Sequence, residues 1–248
     1  MGKCLRCAAL AASLLILLSA TALAAEQPGE DRPLLVNGQN PLPENYQVEL
    51  VMLENGMKAA KCIQEDLKAM LADCRKAGLR PMICSAYRTQ ATQTRLHNNK
   101  IARLRAAGYG LEAAKQEAAR WVAVPGTSEH QTGLALDLVS ARYTNLDQKQ
   151  AETAEQKWLM EHCWEYGFIL RYPVDKGDIT GIGYEPWHYR YVGREHAAAI
   201  HETGLCLEEY LALLDTLPPE GTLSRLVWET AMGKKLDFHG AAKDRKWI

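Results

Sequence analysis

The sequence predicts an α+β fold in which a small antiparallel sheet is flanked by helices. Two observations carry this expectation. Ile63, Leu67, Met70, Leu71 and Cys74 recur at helical spacing. Short apolar runs at 80–87, 134–139, 168–172 and 187–192 have the length of strands, and helical stretches separate them without any internal repeat.

Taken in order, the chain begins with Lys3 and Arg6 ahead of an apolar stretch at 8–18, and Ala22-Leu23-Ala24 then supplies a small-x-small cleavage pattern. Residues 1–24 therefore read as an export signal peptide, with an uncleaved membrane anchor as the structural rival. Residues 25–45, rich in proline and glycine, read as an extended linker. The folded domain is expected over 46–217, and 218–248 is a polar C-terminal extension. Within the domain the periodicity predicts a helix over 57–77 ended by Gly78 and a strand over 80–87. Helices at 90–106 and 111–122 follow, separated by Gly108-Tyr109-Gly110, and their charges suggest a solvated helical insertion. A turn-rich segment at 124–133 leads into the strand 134–139, which places Asp137 on the same face as Ala135 and Val139. A helix at 152–166, a strand at 168–172, a loop at 173–183, a strand at 187–192 and helices at 195–202 and 207–214 complete the domain.

The 29 basic and 30 acidic residues leave a net charge of −1, which offers neither nucleic acid nor an anionic membrane surface as a partner. Membrane contact is expected only through an uncleaved N-terminal anchor. Without the leader the chain keeps Cys62, Cys74, Cys84, Cys163 and Cys206, an odd number at irregular spacing, so no complete disulfide framework is expected. Buried, inert thiols are the expectation for these five.

The residues that could carry chemistry are His130 at the end of the turn, Asp137 on its strand and His188 on a later strand. Catalytic zinc takes three such ligands and leaves a fourth position for water. Glu185 stands three residues before His188, and Pro186 keeps the segment extended, so carboxylate and imidazole can serve one site. Spacing alone leaves a second reading open, in which His130 and His188 are hydrogen-bonded structural residues and Asp137 caps a turn. Against it, a carboxylate on an apolar strand is costly unless paired or bound to a cation.

The blocks Ser85-Ala86-Tyr87-Arg88-Thr89, Gly126-Thr127-Ser128-Glu129-His130-Gln131-Thr132-Gly133-Leu134-Ala135-Leu136-Asp137 and Tyr184-Glu185-Pro186-Trp187-His188-Tyr189-Arg190-Tyr191-Val192-Gly193 resemble, in order and spacing, the signatures of VanY-like D-alanyl-D-alanine carboxypeptidases. The resemblance covers about residues 46–215. It implies a hedgehog/D,D-peptidase-like fold with Zn2+ held by His130, Asp137 and His188. It implies Glu185 as catalytic base and Arg88 as the group that binds or polarises the substrate carbonyl or carboxylate, with Ser128 and Gln93 as weaker substrate contacts. The implied reaction is removal of the terminal D-Ala from peptidoglycan stem peptides outside the cytoplasmic membrane. L,D-carboxypeptidase action on tetrapeptide stems is the nearest rival, and release of intact D-Ala-D-Ala a more distant one. A non-catalytic, zinc-stabilised binding module is the rival from another class, and Glu185 and Arg88 argue against it. Trp187 and Tyr189 are expected to pack away from His188, and His97, His162, His196, His201 and His239 to be structural or solvated.

Overall fold

The computed structural model describes residues 32–216; the leader, the first part of the expected linker, the C-terminal extension and His239 lie outside the described residues. The architecture is α+β. A two-stranded hairpin, β1 (Leu50–Met52) and β2 (Lys58–Ala60), precedes the helix α1 (Gln64–Lys76). The main sheet contains β3 (Pro81–Ser85), β4 (Ala135–Ser140), β5 (Phe168–Leu170) and β6 (His188–Tyr191) in the order β3-β4-β6-β5, every neighbouring pair antiparallel. The helices α2 (Gln90–Ala106) and α3 (Leu111–Ala119) lie between β3 and β4, and α4 (Ala154–His162) between β4 and β5. The short α5 (Gly177–Thr180) precedes β6, and α6 (Arg194–Thr203) and α7 (Leu207–Thr216) follow it.

Alternation along the strands divides the sheet into two faces. Leu136, Leu138, Phe168 and Tyr189 join Leu67, Met70 and Leu71 of α1 and Leu159 of α4 in one core. On the other face Ile169 joins a second core with Ala197 and Ile200 of α6 and Leu207, Tyr210 and Leu211 of α7. That second face also carries Asp137, His188 and Arg190, all buried. Burying apolar area at about 25 cal/mol per Å² holds the helices to the sheet, so the polar residues of the second face sit on a rigid support.

Several helix ends follow from local chemistry. Thr89 caps α2 by accepting the Thr92 amide at 3.2 Å, and Thr153 caps α4 by accepting that of Gln156 at 3.2 Å. Gly78 and Gly204 take positive φ just beyond α1 and α6, the conformation glycine enters without a Cβ penalty.

Two expectations are revised. Residues 57–60, read as the start of a helix, form the end of a turn and β2, because Ala59 and Ala60 are buried as a strand edge. The Ala60 amide donates to the Gly133 carbonyl at 2.9 Å, and that of Tyr87 to the Lys58 carbonyl at 2.8 Å. Asn55-Gly56, with Gly56 at φ 79°, was the hairpin signal in the sequence. The described part of 25–45 contains no helix or strand, yet from Arg32 it packs along the domain. Val36 is fully buried, the Leu34 carbonyl accepts from Arg190, and Asn37 donates to Glu208 at 3.0 Å. Among the described residues all five cysteines are unpaired; Cys74, Cys163 and Cys206 are buried as expected, whereas Cys84 is half-buried and Cys62 exposed.

Candidate active site

The site is assembled at the β4–β6 pair. Asp137 and His188 are register partners there, so both side chains leave the sheet on one face. His130 arrives from a 3-10 turn, Glu129–Thr132, that ends at Gly133 with φ 76°. Gly133 has no room for a side chain, since a Cβ would sit 2.9 Å from the Ala60 nitrogen. The tight turn brings His130 to the head of β4 beside Asp137.

Asp137 Oδ1 lies 3.3 Å from His130 Nε2 and 3.2 Å from His188 Nδ1. Yet this oxygen is buried and makes no hydrogen bond among the described residues. A tetrahedral ion with bonds of about 2.0–2.1 Å separates its ligands by roughly 3.3 Å, which is the spacing of Asp137 Oδ1 from each imidazole nitrogen; all three donor atoms lie within 4.8 Å of one another. The orphaned oxygen, two imidazoles and complete burial therefore fit a zinc ion, and His130, Asp137 and His188 are the group of described residues whose donor atoms could hold one.

The outer atoms of the three residues are each engaged. His130 Nδ1 is 2.8 Å from the Ala86 carbonyl, and His188 Nε2 is 3.4 Å from Glu129 Oε2. Asp137 Oδ2 accepts from Arg88 Nη2 at 2.6 Å, while Arg88 Nε donates to Ser85 Oγ at 2.9 Å. With Nε and Nη2 so engaged, the Arg88 guanidinium also lines the cavity. Such outer partners fix ring tautomers and ligand orientation.

Burial and neighbouring charges shift the groups of the site in opposite senses. Burial acts to raise the Asp137 pKa, but His130 and Arg88 outweigh it and hold the carboxyl well below its usual range. His188 is pushed up to about 9, because Asp137 and Glu129 overcome the effect of burial, whereas burial and Arg88 lower His130 to about 4. Glu185 lies beside the ring, its Oε2 3.7 Å from His188 Nδ1. Burial pushes its carboxyl up to about 8, with His188 and Arg88 opposing; a dication in the ring would pull in the same direction as those two groups.

A cavity of about 850 Å³ opens over these residues and contains Arg88, Ser128, His130, Asp137, Glu185 and His188 in its wall. Its size is that of a small-molecule or short-peptide site. Lys100 and Arg103 of α2 and Trp121 line it too, so the helices expected as a solvated insertion form one side of the cleft. Trp187 also faces it. The expectation that Trp187 alternates away fails because β6 begins at His188, whereas Tyr189 does point away and donates to Gln156 Oε1 at 2.7 Å. Gln93 is not in the wall. It is fully buried, and its Nε2 donates to the Ala123 carbonyl at 2.8 Å, supporting the loop behind Ser128. His97 is structural, with Nδ1 2.7 Å from the Val122 carbonyl.

Sequence reasoning passed over Glu129. It is buried and accepts from Arg171 Nε and Arg190 Nη1, each at 2.7 Å. The signal was present, because Arg171 and Arg190 each sit among apolar strand residues and demanded a buried partner.

Known proteins resemble the chain across this region. Residues 56–194 match the family model described as VanY, D-alanyl-D-alanine carboxypeptidase. A D-alanyl-D-alanine carboxypeptidase of Enterococcus faecalis is 45% identical over 195 residues, covering 77% of this chain and 70% of the relative. A vancomycin-resistance D,D-pentapeptidase, a VanY variant from a VanB-type cassette solved in complex with Zn(II), superposes with TM-score 0.66 at 46% identity. It covers 72% of this chain and 97% of its own. VanYB in complex with D-alanine-D-alanine superposes with TM-score 0.67 at 46% identity, covering 72% and 96%.

Proposed function

The chain belongs to the VanY family of D-alanyl-D-alanine carboxypeptidases, and from that premise we propose how its own residues carry out the reaction. It is a zinc-dependent carboxypeptidase that hydrolyses the C-terminal D-Ala from peptidoglycan stem peptides. The observation that carries the assignment of roles is the buried, unpartnered Asp137 Oδ1 between two imidazoles, with Glu185 beside them in one cavity.

His130 Nε2, Asp137 Oδ1 and His188 Nδ1 would hold the zinc. Bound there, zinc supplies Lewis acidity, making a water acidic near neutral pH and polarising the scissile carbonyl. Glu185 is the general base. Its carboxylate takes a proton from the attacking water as the C–O bond forms, then gives that proton to the amine of the departing D-Ala as the peptide C–N bond breaks. Arg88 keeps Asp137 Oδ2 occupied through Nη2, and its guanidinium, at the cavity wall, donates to the substrate oxygen on which charge develops or to the terminal carboxylate. Ser128, buried at the cavity wall, is a further polar contact for the peptide. Gln93, by contrast, acts through the loop it supports.

The site works on a substrate outside the cytoplasmic membrane if residues 1–24 direct export, and the basic, apolar and small-x-small order of that segment supports this reading. No helix among the described residues is long and apolar enough to cross a membrane. The catalytic unit is 46–217, with the described residues 32–45 packed along it and 218–248 as an extension.

Mass spectrometry of products from L-Ala-D-Glu-L-Lys-D-Ala-D-Ala and from the corresponding tetrapeptide tests the specificity. Loss of a single D-Ala from the pentapeptide alone is the expected result. Loss from the tetrapeptide alone would move the enzyme to L,D specificity, and cleavage of neither would favour a zinc-stabilised binding module.

A further inference from the structure

Glu129 has no part in the reaction just described, yet it is among the most heavily constrained side chains of the molecule. Only 1% of it is exposed, and its carboxylate lies between two guanidiniums, Arg171 and Arg190, that are themselves fully buried. Both donate to the same oxygen, Oε1, at 2.7 Å. Oε2 is left facing His188 Nε2 at 3.4 Å. The opposite nitrogen of that ring, Nδ1, faces Asp137 Oδ1 at 3.2 Å.

Burying three charged side chains is costly unless their positions are specified by mutual contacts, and these contacts extend well beyond the pocket. Arg171 also grips Glu208 of α7 with Nη1 at 2.9 Å and Nη2 at 2.6 Å. Arg190 also donates from Nη2 to the Leu34 carbonyl at 2.7 Å. The carboxylate is thus held from α7 on one side and from the N-terminal segment on the other. An imidazole that presents Nδ1 to a metal must carry its proton on Nε2, and an acceptor at Nε2 selects that tautomer. His130 is arranged the opposite way round, with Nδ1 toward the Ala86 carbonyl at 2.8 Å and Nε2 toward Asp137. Each ring therefore has a fixed acceptor on its outer nitrogen, but only that of His188 is a charged group held in place by long-range contacts.

We propose that Glu129 is a positioning residue for the metal centre: it accepts the Nε2–H of His188 and fixes the ring with Nδ1 inward, and Arg171 and Arg190 tie that orientation to α7 and to the segment around Leu34. The inference rests on the zinc reading of His130, Asp137 and His188.

The test uses the full chain and two readouts other than turnover. Zinc affinity is measured by competition with a chromophoric chelator for wild type and Glu129→Gln, with thermal unfolding of the metal-free proteins run in parallel. The expected result is a zinc affinity weakened about 10- to 100-fold by Glu129→Gln. A change of less than about twofold, even with a lowered melting temperature, would reduce Glu129 to a structural role and overturn the proposal. Proton–nitrogen correlation of the histidine rings in zinc-loaded wild type needs no variant and decides the matter if Glu129→Gln does not fold. His188 with a protonated, slowly exchanging Nε2 and a metal-coordinated Nδ1 is expected, and coordination through Nε2 would overturn the proposal while leaving the zinc reading intact. Failure of wild type to bind zinc at all would overturn both.

Discussion

Asp137 and His188 stand directly opposite one another on β4 and β6, and Asp137 Oδ1 lies 3.2 Å from His188 Nδ1. The antiparallel register sets this relationship, so it does not depend on a flexible loop. Asp137 has a second partner in Arg88, at 2.6 Å from Oδ2, and the two oxygens of one carboxylate thereby serve different ends.

Asp137→Asn separates these duties from the shape of the side chain. Replacing the carboxylate with an amide removes an anionic ligand and leaves Arg88 without its counter-charge. Metal analysis after dialysis is expected to find the variant free of zinc where wild type holds one ion. Breaking a buried pair costs about 3–5 kcal/mol; Arg88 is 16% exposed, so a loss near the lower end is expected in denaturant unfolding of the metal-free protein.

Zinc removal should itself destabilise the fold, because the ligands come from a turn and two strands and must converge before they can bind. At free zinc about 1,000-fold above its dissociation constant, binding adds about 4 kcal/mol. At roughly 2–4 °C per kcal/mol for a domain of this size, calorimetry should show a drop in melting temperature on the order of 10 °C with chelator, restored by added zinc.

Arg88→Lys keeps the positive charge but cannot reproduce the planar fork that reaches Ser85, Asp137 and the cavity together. The variant should retain zinc and lose about 10²- to 10³-fold in kcat, the usual cost of removing one donor aimed at developing charge. Steady-state release of D-Ala alongside metal content measures both.

Gly133→Ala probes how the His130 turn is built. The position requires φ 76°, and a Cβ there would meet the backbone nitrogen of Ala60 at 2.9 Å. Backbone strain of about 1–3 kcal/mol is expected, with further cost from displacing β2. Chemical denaturation should show it, and zinc affinity should fall because His130 lies three residues away.

His130, Asp137, His188 and Glu185 could be singled out in the sequence by residue type and local context, the family resemblance supplied the roles expected of them, and the structure brings the four together. Asp137 interrupts an apolar strand, and Pro186 keeps Glu185 and His188 in one extended segment. The main strands and most helices were legible for the same reason, their periodicity being local. What escaped depended on distant partners. Residues 57–60 carry a helical pattern but are captured as β2 by Gly133 and Tyr87. The prolines of 25–45 suggested an extended linker, and contacts of Leu34 and Asn37 with Arg190 and Glu208 draw its described part onto the domain. Glu129 was obscure because its meaning lies in two arginines 42 and 61 residues away.

The most direct test of the central claim, a zinc centre served by Glu185 as base, is single-turnover D-Ala release by zinc-loaded Glu185→Gln with its metal content determined on the same sample. One zinc per chain with a rate reduced about 10²- to 10⁴-fold is the predicted result. A variant that holds its zinc and cleaves at the wild-type rate would contradict the account.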